Sequence, residues 1–404
     1  MQRFTGTHVV VGVAGSIAAY RACDLVRGLR AQGASVRVAP TRSAQAFVTP
    51  LLFEALSGRP CLLTALDVEQ GRIPHVEEAY QARVVVVCPA TADILARMAA
   101  GFADEALLSL LLSFQGPVIV APAMESHMWS HPATQENVAT LKARGVVFVG
   151  PVEGPLASGR SGQGRLAAID DVIEGALAAV LPRDFQGKRV LVTAGPTVED
   201  LDPVRSLTNR SSGKMGLMIA RELALRGAAV DVVHGPVKVA VPGTPGLRAI
   251  AVRSATEMAE AVFSRASHVD VAILAAAVAD FRPRSVAALK IKKTDGPPTV
   301  DLVPTTDILL TLGQSRAAGQ GPLLVGFAAE TDDVENRAHE KRERKGCALV
   351  IGNDVSAAGS GFDVDTNRVF LARDPRRGLS LWLPLMSKEE VAVRVVDEIR
   401  SLLG

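Results

Sequence analysis

With 404 residues, 48% of them hydrophobic and 21% charged, the chain has a globular composition and exceeds one ordinary hydrophobic core, so two domains are expected. A net charge of +2 gives no electrostatic footing for nucleic acid or a membrane surface, and every apolar run is broken by a charge, Gly or Pro before it could cross a bilayer. The four cysteines, Cys23, Cys61, Cys88 and Cys347, form no CxxC pair, which argues against a disulfide or zinc framework and suits a reducing cytoplasm.

The opening MQRFTGTHVVVGVAG shows no signal-peptide pattern and runs straight into an apolar stretch at 8–14, expected as a strand. Gly15 and Ser16 turn it into a helix ending at Gly33, and residues 35–39 read as the next strand. Strand, glycine turn, helix, strand is a βαβ unit, which builds parallel sheets. A helix start after Gly15 and Ser16 can hold a phosphate, but one such turn identifies nothing by itself. Residues 41–53, TRSAQAFVTPLLF, are a polar loop feeding a helix. The unalternating run at 84–88 predicts a strand buried on both faces, and PATAD (89–93) starts a helix. Residues 116–121 are another buried strand, ending in APAMESHMW (121–129). A last strand is expected at 146–149, an irregular glycine-rich loop over 154–165 (GPLASGRSGQGR), and a helix from about 170 to 180. Residues 182–187 are the expected linker, which gives domains over 1–184 and 188–404.

The alternation then restarts, with strands expected near 189–193, 229–233, 269–275, 323–327 and 348–351. Residues 367–371 and 381–384 read as an antiparallel pair at a sheet edge, and 388–403 as a closing helix. The fold class is therefore α/β, two doubly wound, Rossmann-like parallel-sheet domains whose ligands sit at the carboxyl ends of strands. The densest loop, DPVRSLTNRSSGKMG (202–216), lies between LVTAGPT (191–197) and a helix over 216–227. Ser, Gly, Asn, Arg and Lys before a helix N-terminus suit an anion. The spacing is not that of a P-loop, and taken alone the stretch reads equally well as a solvated loop.

Four motifs settle the comparison: the 202–216 loop, ILAAAVADFRP (273–283) with KIKK (290–293), GFAAET (326–331) and NDVS (353–356). Together they resemble the ligase half of the bifunctional phosphopantothenate–cysteine ligase/phosphopantothenoylcysteine decarboxylase family of bacterial coenzyme A synthesis. The N-terminal half is similar to that family's flavodoxin-like flavoprotein decarboxylase. The resemblance implies ligation of 4′-phosphopantothenate to cysteine using CTP and Mg²⁺ through an acyl-cytidylate, then FMN-dependent decarboxylation to 4′-phosphopantetheine. It also implies a cytoplasmic homo-oligomer assembled through its flavin domains, with dimeric ligase halves. Carried over residue by residue, it places Asn209 at the acyl intermediate and Lys290 on the phosphate charge of the first step. Ala276, Asp280, Thr306, Asp307, Ile308, Phe327, Lys341 and Lys345 surround the nucleotide. TTD (305–307) stands where the family has NPD. Without the family, EKRERK (340–345) is a solvated helix face on which Lys341 and Lys345 stand at i and i+4. No residue is assigned as a metal ligand.

In the flavin half the resemblance implies FMN held by Gly15, Ser16, Ile17, Ser43, Phe47, Pro89, Ala90 and Thr91, with His75 as the base near the substrate thiol. Outside that family a lone His reads as a packing or surface residue. Three residues depart from the pattern. Asp93 and Glu125 stand where the family has Asn, and Ser158 where it has the loop Cys that donates the final proton. A hydroxyl is a far poorer acid than a thiol. An ionised Glu cannot donate to a substrate carboxylate and repels it. Three readings stay open: the complete bifunctional enzyme, a ligase with an altered or silent flavin half, and a flavin-binding scaffold. The intact ligase motifs argue against the third, and the departures at Glu125 and Ser158 favour the second over the first. FMN is expected to bind in each case.

Overall fold

The structure, a computed structural model, describes residues 2–66, 68, 71–292, 299–317, 321–357, 359–361 and 364–404; Lys293 of the KIKK run lies outside the described residues. The chain divides into two compact units, Met1–Leu181 and Pro182–Gly404.

Five strands of the first unit form a wholly parallel sheet in the order Ser35–Pro40, His8–Val13, Val84–Ala90, Val118–Pro122, Val147–Phe148. Every residue of Val84–Ala90 is buried, as an unalternating strand covered on both faces requires. Val85, Val87 and Val120 of the sheet pack with Ile94, Leu95, Leu107 and Leu108 of the flanking helices. The chain winds outward from His8–Val13 to Ser35–Pro40, then crosses to Val84–Ala90 on the other side. The winding therefore reverses between His8–Val13 and Val84–Ala90, and ligands of doubly wound sheets bind at the carboxyl ends there.

One expectation is corrected. Residues 154–165 are not an irregular loop: Val152–Pro155 and Ser161–Arg165 form an antiparallel hairpin, closed by Leu156 N–H donating to Arg160 O (2.8 Å). A ladder is made by backbone groups and needs no apolar side chains, so its residues left no pattern. Met124 N–H donates to Gly164 O (2.9 Å) and docks the hairpin on the end of the Val118–Pro122 strand. The helices Pro74–Gln81, Ala106–Ser113 and Pro132–Ala143 were also not anticipated.

The second unit carries an eight-stranded sheet in the order Leu247–Ala251, Ala229–His234, Arg189–Ala194, Val271–Leu274, Leu323–Glu330, Leu349–Asp354, Val369–Arg373, Leu381–Trp382. It is parallel as far as Leu349–Asp354, and the last two strands are antiparallel at the edge. The opposite edge strand, Leu247–Ala251, was missed because its half-exposed LRAIA carries no clean period. The closing helix Lys388–Leu403 starts in a capping box, with Ser387 and Glu390 binding each other's backbone amides. It buries Val391, Val395, Val396 and Ile399 against the sheet, each worth roughly 1.5–3 kcal/mol over exposure. Here the winding reverses between Arg189–Ala194 and Val271–Leu274. Among the described residues, no helix is long and apolar enough to cross a membrane.

Candidate functional site

In the first unit the expected flavin residues gather at the switch point. Ala14 N–H donates to Pro89 O (3.1 Å), joining the ends of the two strands between which the winding reverses. A Cβ on Gly15 would lie 2.5 Å from Ser43 Oγ, so only glycine lets the first turn approach the Ser43 loop this closely. Ser43 Oγ is 3.1 Å from the hydroxyl of buried Thr41. Ser16 caps the short helix Ile17–Tyr20, accepting from Ala18 N–H, and Thr91 caps Ala92–Ala100, accepting from Ile94 N–H. Ala90 O is bound by Ala123 N–H (2.9 Å). Ile17 and Phe47 are 65% and 55% exposed, leaving two apolar side chains uncovered beside this polar turn.

His75 is on the Pro74–Gln81 helix; its Nδ1 is buried and unpartnered among the described residues, and no hydrogen bond ties it to the strand ends. That helix is anchored by Glu78, which is 2% exposed. The Glu78 carboxylate accepts from His8 Nε2 (2.5 Å), Arg37 Nη1 (3.0 Å) and Arg59 Nη2 (3.4 Å). Burial alone would push its carboxyl up, but the His8 hydrogen bond and the Arg37 guanidinium outweigh it and hold it below the usual range.

Two of the three departures face other partners. Asp93 is an exposed residue of a surface ion cluster, 3.8 Å from Arg97, which also pairs with Asp104 and Glu105. Glu125 caps the Ser126–Ser130 turn, its carboxylate accepting from His127 N–H (2.7 Å), and that amide holds it below the usual carboxylate range. Ser158 sits exposed at the turn of the hairpin.

In the second unit the cluster is tighter. Gly213, at φ 79°, ends the 202–213 loop where a Cβ would lie 3.3 Å from Gly195 Cα, so the Lys214–Leu225 helix starts directly against the Arg189–Ala194 strand end. Asn209 Nδ2 donates to Ala277 O (2.9 Å) across the switch point. Ala276 N–H donates to Thr193 Oγ1 (3.1 Å) and Ala279 N–H to Thr197 Oγ1 (3.0 Å). Asp280 is exposed, and Thr305 N–H binds its carbonyl (2.9 Å). These bonds bring Asn209, Ala276 and Asp280 together. Thr193 and Thr197, both fully buried, were missed by sequence reasoning, since a Thr in an apolar strand or just after its turn gives no sign of a partner some 80 residues later.

The remaining nucleotide residues divide. Asp307 caps the Ile308–Ala317 helix, accepting from Leu310 N–H (2.9 Å), so the TTD variant still starts a helix. Thr306 is exposed beside it and Phe327 is half-buried. The Ile308 side chain is 5% exposed among Leu309 and Leu312, so it faces the core, and only its backbone remains at the helix start. The resemblance puts Lys345 at the nucleotide, and the residue is not free on a solvated face. It follows the Val334–Arg344 helix as its C-cap, is buried, and pairs with the Asp307 carboxylate. Burial would push the Asp307 carboxyl up, but the Lys345 hydrogen bond and the Leu310 amide hold it below the usual range. Lys341 is half-buried, and burial lowers its ammonium below the usual lysine range. Lys290 is exposed on a segment with neither helix nor strand.

Residues 2–181 match the family described as Flavoprotein, and residues 185–403 match the DNA/pantothenate metabolism flavoprotein C-terminal domain. The coenzyme A biosynthesis bifunctional protein CoaBC of Mycobacterium tuberculosis is 45% identical, over 98% of this chain and 97% of the relative. The chain belongs to the CoaBC family. The Vibrio vulnificus CoaBC is 41% identical, with all of both chains covered. A solved C-terminal domain of a CoaBC protein is 39% identical over 55% of this chain and 98% of that one, with a TM-score of 0.46. As a CoaBC protein, the chain is a bifunctional enzyme of coenzyme A biosynthesis, a flavoprotein joining a decarboxylase to a ligase.

Proposed function

We propose that the second unit joins 4′-phosphopantothenate to cysteine at the Asn209–Asp280 end of its sheet. The substrate carboxylate attacks the α-phosphorus of CTP and pyrophosphate leaves, giving an acyl-cytidylate. The cysteine amine then attacks the acyl carbon, cytidine monophosphate leaves, and the amine loses a proton. The Lys290 ammonium faces the negative charge that gathers on the phosphate in the first step. Asn209, oriented by its bond to Ala277 O, keeps Oδ1 and a second amide hydrogen for the acyl intermediate. Mg²⁺ would enter with the nucleotide phosphates, the usual arrangement for this cation.

The first unit would hold FMN, in a homo-oligomer in the cytoplasm. The close approach of Gly15 to Ser43, beside the capped turn at Ser16, fits a flavin phosphate, and Pro89, Ala90 and Thr91 would line the ring. Bound there, FMN supplies the two-electron oxidation of the substrate thiol that permits loss of carbon dioxide, and later returns the electrons. His75 would take the thiol proton, and Ser158 would return a proton from the hairpin turn. The reading is supported most by Gly15, Ser43 and Pro89 in one half, and Asn209, Ala276 and Asp280 in the other, lying at a sheet's switch point. With Ser in place of a thiol acid, final protonation limits this half, and decarboxylation runs slower than ligation. A second reading, a silent flavin half, is favoured by Glu125 and Ser158.

The test is the full chain with FMN, 4′-phosphopantothenate, cysteine, CTP and Mg²⁺, followed by mass spectrometry. Pyrophosphate and 4′-phosphopantothenoylcysteine should appear first, then carbon dioxide and 4′-phosphopantetheine. No pyrophosphate would overturn the ligase reading, and ligation without carbon dioxide would select the silent flavin half.

A further inference from the structure

Lys290 is exposed and its segment has no ladder or helix to hold it. Where its ammonium can reach is decided by what grips the neighbouring backbone. That grip comes from a carboxylate 89 residues earlier, Asp202, which is 1% exposed. Asp202 Oδ1 accepts from Val204 N–H and Arg205 N–H, each at 2.7 Å. Its other oxygen, Oδ2, accepts from Ile291 N–H (3.1 Å) and from Arg205 Nη1 (3.1 Å). Arg205 Nη1 also donates to Ile291 O (3.0 Å), and Ala287 N–H donates to Leu201 O (2.9 Å). Both backbone polar groups of Ile291, the residue after Lys290, are therefore held by Asp202 and Arg205.

Burial alone would push the Asp202 carboxyl up, but the amides of Val204, Arg205 and Ile291 and the Arg205 charge hold it below the usual range. It is anionic at neutral pH. The same turn runs on through Ser206–Thr208, paired with Val198–Asp200, into Asn209. One buried carboxylate thus joins the element carrying Lys290 to the element carrying Asn209.

We propose that Asp202 is a positioning residue for the ligase: it docks the Lys290–Ile291 segment on the 201–205 turn and so places the Lys290 ammonium over the reacting phosphate. This rests on the reading of Lys290 given above. The plainer alternative is that Asp202 only shapes its own turn, as Asp does in many Asx turns. The two separate at Oδ2. In Asp202→Asn the amide oxygen still accepts from Val204 and Arg205 and keeps the turn, while the NH₂ cannot accept from Ile291 N–H.

The experiment is a double-mutant cycle on pyrophosphate release by the full chain, with kcat, KM for CTP and Tm measured for D202N, K290Q and the pair. Loss of about an ångström of placement costs on the order of 10²-fold in rate, so D202N should lower kcat roughly 10- to 100-fold in the wild-type background. In the K290Q background it should cost less than about twofold, because the group it positions is already gone. Arg205→Gln removes one of the two ties from a half-exposed position, and should show a smaller loss with the same non-additivity. Should D202N fail to fold, the R205Q cycle decides by the same criteria. An equal fold-loss in both backgrounds, or a wild-type rate for D202N beside a defective K290Q, would overturn the proposal. A wild-type rate for K290Q would instead overturn the Lys290 reading, and this proposal with it.

Discussion

The two units solve one problem, a ligand at the switch point of a doubly wound sheet, with different degrees of internal bracing. In the second unit the expected site residues are tied across the switch point by buried hydroxyls and amides: Thr193 to Ala276, Thr197 to Ala279, Asn209 to Ala277. In the first unit two of the three residues that depart from the family pattern are held by near neighbours in the chain, and the third lies at a turn. Asp93 pairs with Arg97 one turn on, Glu125 caps its own turn, and Ser158 sits on an exposed hairpin turn. A substitution at a local contact leaves the scaffold standing, whereas one at a brace moves other site residues. The ligase motifs therefore have a structural reason to persist as well as a chemical one, and their presence alone says less about chemistry than the departures do.

The comparison breaks first at Lys290. If the second unit is the complete catalyst, Lys290→Gln should lower pyrophosphate release by roughly 10²–10³-fold, the usual cost of removing one group that stabilises transition-state charge. Decarboxylation of supplied 4′-phosphopantothenoylcysteine should be unaffected. Both are read by product formation. If the first unit lacks only its acid, Ser158→Cys should raise phosphopantetheine formation by about 10²-fold, the low end of what a general acid contributes. An unchanged rate would assign the proton to another group.

A smaller effect tests whether the first unit has a brace of its own. Glu78 is that candidate, and Glu78→Gln removes the charge that pairs with the buried Arg37 guanidinium, at a cost of about 3 kcal/mol in unfolding free energy. Its folded pKa lies below the ordinary value, so its contribution is complete above the unfolded pKa of about 4.3 and is lost as pH falls through the folded value. The Tm gap between wild type and E78Q should stay constant above about pH 5 and narrow below about pH 4. The smallest effect is expected at Glu125. Asn caps a helix as well as Glu does, so Glu125→Asn should change Tm little and lower KM for the decarboxylase substrate only a few-fold, about 1 kcal/mol or less. A large fall in KM would show that the carboxylate meets the substrate directly.

The strands expected at 84–88 and 189–193 and the helix expected at 388–403 were legible because their signals are local, continuous apolar runs between turn residues foremost among them. Gly15 was legible as a turn for the same reason. From these, the chain by itself determined an α/β fold in two halves, with its unusual loops at strand ends. Tertiary structure alone decided which loops meet. Asp202 reaches Ile291, Lys345 is taken up by Asp307, and the glycine-rich 154–165 stretch becomes a docked hairpin. The first two join groups far apart in the chain, and the hairpin, though paired locally, is docked by the distant Met124 N–H on Gly164 O. Such contacts leave no periodicity, since a buried carboxylate and a solvated one are spelled alike until the sheet brings their partners into reach.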